Sequence, residues 1–175
     1  MEQVDFSKFG KDFQEKLVQL ILEDRAFCDQ IKEVLDISFL ELKHLQIFTR
    51  KLFEYKDKYN THPSYKTVAT ILRTELEGEN EAMQQQIRNY FARIYKSDAG
   101  IEGAEYVKEV SLDFCKKQKL KEAMMKSVNL LQRSSFDEIS DIINNALKLG
   151  TDNNFGYDYL KDFEKRFELK SRDPI

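Results

Sequence analysis

The only pairing that hints at nucleotide chemistry is Gly10-Lys11, and its surroundings do not fit a P-loop. Asp12 follows the lysine where serine or threonine would hold magnesium, and Asp5 stands where the motif needs its first glycine. The glycine-rich turn that cradles phosphates is therefore missing. We expect no nucleotide hydrolysis by this chain.

Residues able to bind metal or transfer protons are scattered. His44 lies in a predicted helix and His62 precedes a proline, and neither belongs to a His-Glu-x-x-His motif. Cys28 and Cys115 are far apart and lack the paired spacing of a zinc site, which favours buried thiols in a reducing compartment. Carboxylates such as Glu122 lie four residues from a lysine, as in ordinary helix-stabilising pairs. We predict no catalytic residue, metal or cofactor.

The composition favours an all-α fold. The chain has 175 residues, of which 34% are charged, with six glycines and two prolines, too few for the turns of a many-stranded β protein. A net charge of −3 gives no overall case for nucleic-acid binding. With no leader and no apolar run of about 18 residues, we expect a soluble, cytoplasmic protein.

Residues 1–103 are predicted to form a helical body of five helices. A capping box of Ser38 and Glu41 is expected to open the third helix, which ends near Tyr59, and Asp24 and Ser64 are expected to cap the second and fourth. Apolar residues at three- and four-residue spacing place the first helix, which should end near Glu23: Phe6, Phe9, Phe13, Leu17, Leu20 and Ile21.

Residues 104–150 are predicted to form a projecting α-helical hairpin. A long helix over 104–134 would measure about 45 Å, and a capping box of Ser135 and Glu138 would start a return helix ending at Gly150. A shift of phase at Asp113 and Lys117 divides a root that docks on the body from a tip. The tip is too small to bury its apolar residues, so we expect self-association through Leu120, Met124, Val128, Leu131, Phe136, Ile139, Ile143 and Leu147.

Residues 151–175 are predicted to form a polar linker followed by an amphipathic helix. Leu160, Phe163 and Phe167 would form one apolar edge of that helix. Such a helix on a polar connector is suited to docking on a neighbouring surface. The alternative is that it folds back on its own body.

The strongest local charge lies between residues 116 and 133, where Glu122 is the only acid. Such a cluster is able to follow a phosphate backbone, but the stretch has no aromatic residue for base stacking. A solvated face, a protein-binding face and DNA contact all remain open. The basic residues are Lys116, Lys117, Lys119, Lys121, Lys126 and Arg133.

The helix order resembles the N-terminal collar domain of DnaB-type hexameric replicative helicases, most closely the phage-encoded branch. The resemblance rests on three segments of the hairpin, on Asn60 to Ser64 in the body and on Tyr157 to Phe167. The hairpin segments are Glu105-Tyr106-Val107-Lys108-Glu109-Val110, Lys116-Lys117-Gln118-Lys119-Leu120-Lys121-Glu122-Ala123 and Ser135-Phe136-Asp137-Glu138-Ile139. It spans nearly the whole chain but contains few diagnostic residues.

The resemblance implies a non-catalytic domain that forms homo-oligomers, a hexameric ring in the full-length helicase, and that receives a primase and a helicase loader. It implies that Leu160, Phe163 and Phe167 dock on a neighbouring ATPase domain. The RecA-like ATPase domain, which would bind ATP and magnesium, is absent, so we expect a fragment of a longer helicase. The alternatives are a single-stranded DNA-binding module using the Lys116–Arg133 face and an unrelated α-helical scaffolding protein.

Overall fold

A computed structural model describes residues 4–97, 99–133 and 135–150. Within them the chain forms α-helices and short 3-10 segments without a strand, which confirms the all-α prediction. Short 3-10 helices cover Ser7–Phe9 and Ile37–Phe39. The α-helices are α1 Lys11–Glu23, α2 Arg25–Lys32, α3 Lys43–Tyr59, α4 Tyr65–Thr74, α5 Glu81–Lys96, α6 Ala104–Leu131 and α7 Phe136–Lys148.

Side-chain caps fix the starts of α2, α4 and α5. The Asp24 carboxylate accepts the backbone N–H of Phe27 at 3.0 Å, and Ser64 Oγ accepts that of Thr67 at 3.2 Å. Each bond satisfies a donor that has no partner inside the helix. Both predicted caps are confirmed. Asn80 caps α5 in the same way and was not predicted.

The predicted capping box at Ser38 and Glu41 is wrong. Ser38 lies inside the second 3-10 helix, and Asp36 accepts its backbone N–H at 2.9 Å and its hydroxyl at 2.7 Å. The backbone N–H of Glu41 donates to Gln14 Oε1 at 2.7 Å. Because a nearer aspartate and a distant glutamine take these groups, α3 starts later, at Lys43.

The first helix is also shorter than predicted. Phe6 and Phe9 belong to the segment around the first 3-10 helix, and α1 starts only after Gly10, whose φ of 87° requires glycine. Phe6 still joins the core, because it is fully buried and its ring centroid lies 5.9 Å from that of Phe39, whereas Phe9 is half-buried with its ring centroid 4.8 Å from that of Phe13. The apolar spacing therefore identified core residues correctly but not the helix boundary.

Helix α1 is central to the body and packs against α2 and α3, while α5 packs on α3. Gln14, fully buried on α1, joins three segments through its amide, which donates to the carbonyl of Gly10 at 3.2 Å and to the Glu41 carboxylate at 3.3 Å. A buried amide with all its polar atoms engaged fixes the register between the N-terminal segment and α3.

The root of α6 belongs to this body. Its Phe114 ring lies 4.9 Å from Phe6, and Lys108 Nζ lies 2.6 Å from the Asp24 carboxylate. The compact unit therefore extends through Cys115, beyond the predicted boundary at residue 103, and a second unit begins at Lys116. This division matches the predicted separation of α6 into a docked root and a tip.

Candidate functional site

Small residues bring the two helices of the hairpin together in the second unit. Ala123 and Ser127 on α6 and Ala146 on α7 are buried, and Ser127 Oγ donates to the carbonyl of Ala123 at 2.7 Å. Lys119 and Leu149 line one hollow between the helices, and residues 130 and 138 line the next. Residue numbers therefore increase in opposite directions along the two helices, so α6 and α7 are antiparallel, as expected for a hairpin.

The apolar stripe of α6 lies beside this contact line rather than on it. Met124 follows Ala123 and Val128 follows Ser127, so each is rotated about 100° forward from the residue that touches α7. Leu131 follows half-buried Leu130 in the same way. Met124 is 56% exposed and Val128 61% exposed, and Leu131 is exposed as well, while Leu120 is half-buried.

Helix α7 carries a matching stripe. Leu147 follows the buried Ala146, Ile143 follows Ile142, and Phe136 precedes Ile143 by two helical turns. Leu147 and Phe136 are exposed, the latter by 68%, and Ile139 and Ile143 are half-buried. Because α6 and α7 run antiparallel, side chains that are rotated by the same angle from the contact line point to the same side of the hairpin. The two stripes therefore form one surface, which we call the apolar face.

The apolar face contains all eight residues predicted for self-association, and the hairpin leaves most of them uncovered. Met125, which the sequence reasoning passed over, is 69% exposed at its edge. Neighbouring exposed apolar side chains of this kind are typical of surfaces that bind another molecule. Each of these side chains contributes about 1.5–3 kcal/mol when it is fully removed from water.

The opposite side of the hairpin, which we call the polar side, exposes charged and amide side chains around hollows whose walls also include Leu130, Ile142 and Leu149. Two hollows of about 300 and 380 Å³ run between the helices there, and each has lysine and asparagine side chains in its walls. Glu122, Lys126 and Asn129 each precede a residue of the contact line, which rotates them away from the apolar face. Two sides with such different chemistry give the hairpin one surface for apolar burial and another for solvent or polar partners.

The predicted basic cluster does not form one face. Lys119, Lys126 and Arg133 recur every seven residues and line the two hollows, and Lys119 lies 3.7 Å from Glu122. Lys117 and Lys121 lie roughly opposite on the helix, at the outer edge of the apolar face. Lys116 is half-buried. The structure thus aligns three of the six predicted cations and separates the others from them.

The ends of α7 agree only partly with prediction. Ser135 makes no side-chain capping bond, so the predicted capping box with Glu138 is wrong; the Ser135 carbonyl alone accepts the N–H of Ile139, at 3.1 Å. With φ of −91° and ψ of 67°, Ser135 lacks the extended backbone that points a capping hydroxyl at the helix. Gly150 has a φ of 76°, which confirms it as the left-handed residue after the helix.

The predicted docking residues of the linker helix, Leu160, Phe163 and Phe167, lie outside the described residues. The candidate metal and thiol residues lie in the body. No group of three or more His, Cys, Asp or Glu side chains in the described ranges is arranged to hold a metal ion. Cys28 and Cys115 are buried as predicted, and burial raises the pKa of the Cys28 thiol to about 11, which keeps it protonated and unreactive.

Both histidines make tertiary contacts within the body. The Nε2 atom of His62 lies 2.5 Å from the carbonyl of Leu22, and its Nδ1 lies 3.2 Å from Lys56 Nζ. Lys56 Nζ also lies 2.6 Å from the Asp29 carboxylate, so His62 joins the end of α1 to α3 and, through Lys56, to α2. Burial lowers the pKa of His44, whose ring faces Tyr90 at 6.1 Å. Only the position of His62 before Pro63 signalled a structural role.

No protein-family profile matches the chain, and no curated protein or solved structure is significantly similar to it. In the described part of the chain, no helix is both long enough and apolar enough to cross a membrane.

Proposed function

We propose that this chain is a non-catalytic assembly domain whose hairpins pair through the apolar face, of the kind that forms the collar of a DnaB-type replicative helicase. The observation that carries the proposal is the single uncovered surface formed by the stripes of α6 and α7. A second copy of the same face is the simplest cover, because a two-fold axis places identical apolar surfaces against each other.

The self-association test places charge at the centre of the apolar face. Met124→Asp combined with Ile143→Asp buries two unpaired carboxylates in any paired state and is expected to make the chain monomeric. Sedimentation velocity from low to high micromolar concentration measures the change. Unaltered chain that stays monomeric at high micromolar concentration contradicts the proposal.

A matched control adds the same charge on the other side. Asn129 and Asn145 lie on the polar side of the hairpin and are exposed. Asn129→Asp combined with Asn145→Asp is expected to leave the association constant within about threefold, because surface substitutions away from a contact change little. If both double variants lose association equally, the added negative charge explains the loss, and the apolar face is not the pairing surface.

The replicative role rests on the resemblance described above and has its own test. The coding sequence after Ile175 is expected to contain a Gly-x-x-x-x-Gly-Lys-Ser/Thr motif within an α/β pattern. The collar role further predicts that the paired domain binds a primase or helicase loader from the same replication system. If the continuation of the gene has no such motif and the hairpins still pair, the chain is an α-helical scaffolding domain outside replication.

A further inference from the structure

Helices α4 and α5 are basic within an otherwise acidic body. Together they contain one acid, Glu81, whereas acidic residues outnumber basic ones in the rest of the first 115 residues. The three glutamates of their connecting loop lie at one end of the pair, away from the start of α4 and the end of α5. The five cations of the two helices are Lys66, Arg73, Arg88, Arg93 and Lys96.

Three aromatic rings meet at the end of the pair that is remote from these glutamates. The ring centroid of Tyr95 lies 5.6 Å from that of Tyr65 and 6.0 Å from that of Phe91, and Tyr65 and Phe91 are also 6.0 Å apart. Tyr65 and Phe91 are half-buried, while Tyr95 is 60% exposed. We call these rings the tyrosine platform. They hold one flat side chain at the surface with two others supporting it.

The cations beside the platform are available to a ligand. Lys66 and Lys96 directly follow Tyr65 and Tyr95 and are exposed, and within the described ranges neither has a carboxylate at ion-pair distance. Arg88 precedes Tyr95 by seven residues, which places it on the same side of α5, and its guanidinium contacts the Leu72 carbonyl and Gln84. Arg93, by contrast, is paired with Glu15 at 3.1 Å.

One carboxylate lies close to the platform, and it is already engaged. Glu23 accepts the hydroxyl of Tyr65 and the side-chain amide of Gln19, the latter at 3.2 Å. Both donors contact the same carboxylate oxygen, Oε1, and the bond from Tyr65 fixes its ring. The negative charge is therefore held at the hydroxyl of Tyr65.

The geometry points to a single-stranded nucleic-acid contact on this face, with Tyr95 stacking on a base and Lys66, Arg88 and Lys96 contacting phosphates. Exposed aromatic rings interleaved with free cations are the combination that binds single strands without sequence preference. An acidic peptide would satisfy the cations but would leave the exposed ring unused. DNA and RNA share the chemistry of a stacking base and a phosphate chain.

The test measures fluorescence anisotropy of labelled oligo(dT) and oligo(U) with the full chain at low salt. Tyr95→Ala is expected to weaken binding about tenfold. Lys66→Gln combined with Lys96→Gln is expected to reduce the slope of log affinity against log salt by about 1.4, from about 0.7 for each lost phosphate contact. Equal affinities for oligo(U) and oligo(dT) would show that the site does not distinguish ribose from deoxyribose. A clear preference for one oligonucleotide would show whether the site binds RNA or DNA.

Tyr59→Ala is the matched control, because Tyr59 is 56% exposed, follows Lys58 and lies at the end of α3. It is expected to leave the affinity unchanged. Lys126→Gln with Arg133→Gln provides the second comparison, on the hairpin. Any of four results overturns the inference. The first is no binding at low salt, and the second is an equal loss of affinity in Tyr95→Ala and Tyr59→Ala. The third is a loss of affinity in the hairpin variant alone, and the fourth is complete competition by polyglutamate with no effect of Tyr95→Ala.

The inference is independent of self-association. Sedimentation of Tyr95→Ala is expected to match that of the unaltered chain, because Tyr95 lies in the body. Conversely, Met124→Asp with Ile143→Asp is expected to retain binding per chain. Failure of one proposal therefore leaves the other measurable.

Discussion

At the scale of single residues, Asp24 connects more of the body than any other carboxylate described above. It caps α2 through the N–H of Phe27 and binds Lys108 from the root of α6. Burial acts to raise the pKa of Asp24, but the hydrogen bonds from Lys108 and from the backbone outweigh it and hold the pKa below the ordinary aspartate value of 3.8.

The sign of this shift gives a pH prediction. A carboxyl group with a depressed pKa stabilises the fold fully above the unfolded value near 3.8, and the contribution is lost as pH falls through the folded value. Asp24→Asn keeps a capping side chain on α2 but loses the charge that pairs with Lys108, so it is expected to lower the free energy of unfolding by less than about 1 kcal/mol at pH 7, and the difference should shrink below about pH 4. Urea unfolding at several pH values measures it.

Asp24→Ala separates the two roles of this carboxylate. Asparagine keeps the cap on α2 and loses only the pair with Lys108, whereas alanine loses both, so Asp24→Ala is expected to cost about 1 kcal/mol more than Asp24→Asn at pH 7. An unchanged pH profile in Asp24→Asn would show that the ion pair with Lys108 adds nothing to stability.

At the scale of helices, the sequence correctly predicted the features that depend on local spacing. It missed the features in which a residue distant in sequence takes a hydrogen-bonding group. The ends of α1 and α3, the caps Asp24 and Ser64 and the core positions of α1 all follow from local chemistry. The start of α3 does not, because Gln14, more than 25 residues away, takes the N–H of Glu41. No local pattern around Ser38 contains that information.

The hairpin shows the same division. Apolar spacing identified Leu120, Met124, Val128 and Leu131 as one stripe, and they form one in the structure. Spacing alone could not show that the small residues Ala123 and Ala146 are buried and line the same hollow between the helices. A hydrophobic pattern gives little weight to alanine, so it does not identify which small side chains lie between two helices.

This contact gives a prediction for α7. Ala146→Leu inserts a larger side chain where the helices touch and is expected to destabilise the hairpin by about 1–3 kcal/mol. Hydrogen exchange of the α7 amides should accelerate accordingly. Asn144→Leu, at an exposed position two residues away, is the control and should leave exchange nearly unchanged. Equal exchange in the two variants would contradict the contact described for Ala146.

At the scale of the whole molecule, the two compact units differ in how they are stabilised. The body has an aromatic core in which Phe6, Phe27, Phe48 and Tyr90 are almost fully buried. In its described part the hairpin buries three small side chains between its helices and leaves its large apolar residues exposed or only half-buried. Its stability in isolation is therefore small, and association is expected to supply the rest.

Unfolding of the hairpin should consequently depend on protein concentration, whereas unfolding of the body should not. Binding that occurs only in the folded state stabilises it by mass action, so the hairpin transition is expected to move upward as concentration rises. Far-UV circular dichroism follows both units, and near-UV signals of tyrosine follow mainly the body, because six of the eight tyrosines lie in the first 115 residues. Met124→Asp with Ile143→Asp should abolish the concentration dependence and leave the body transition in place. A single transition with the same midpoint at all concentrations would show that the hairpin needs no partner, because it would then be stabilised within one chain.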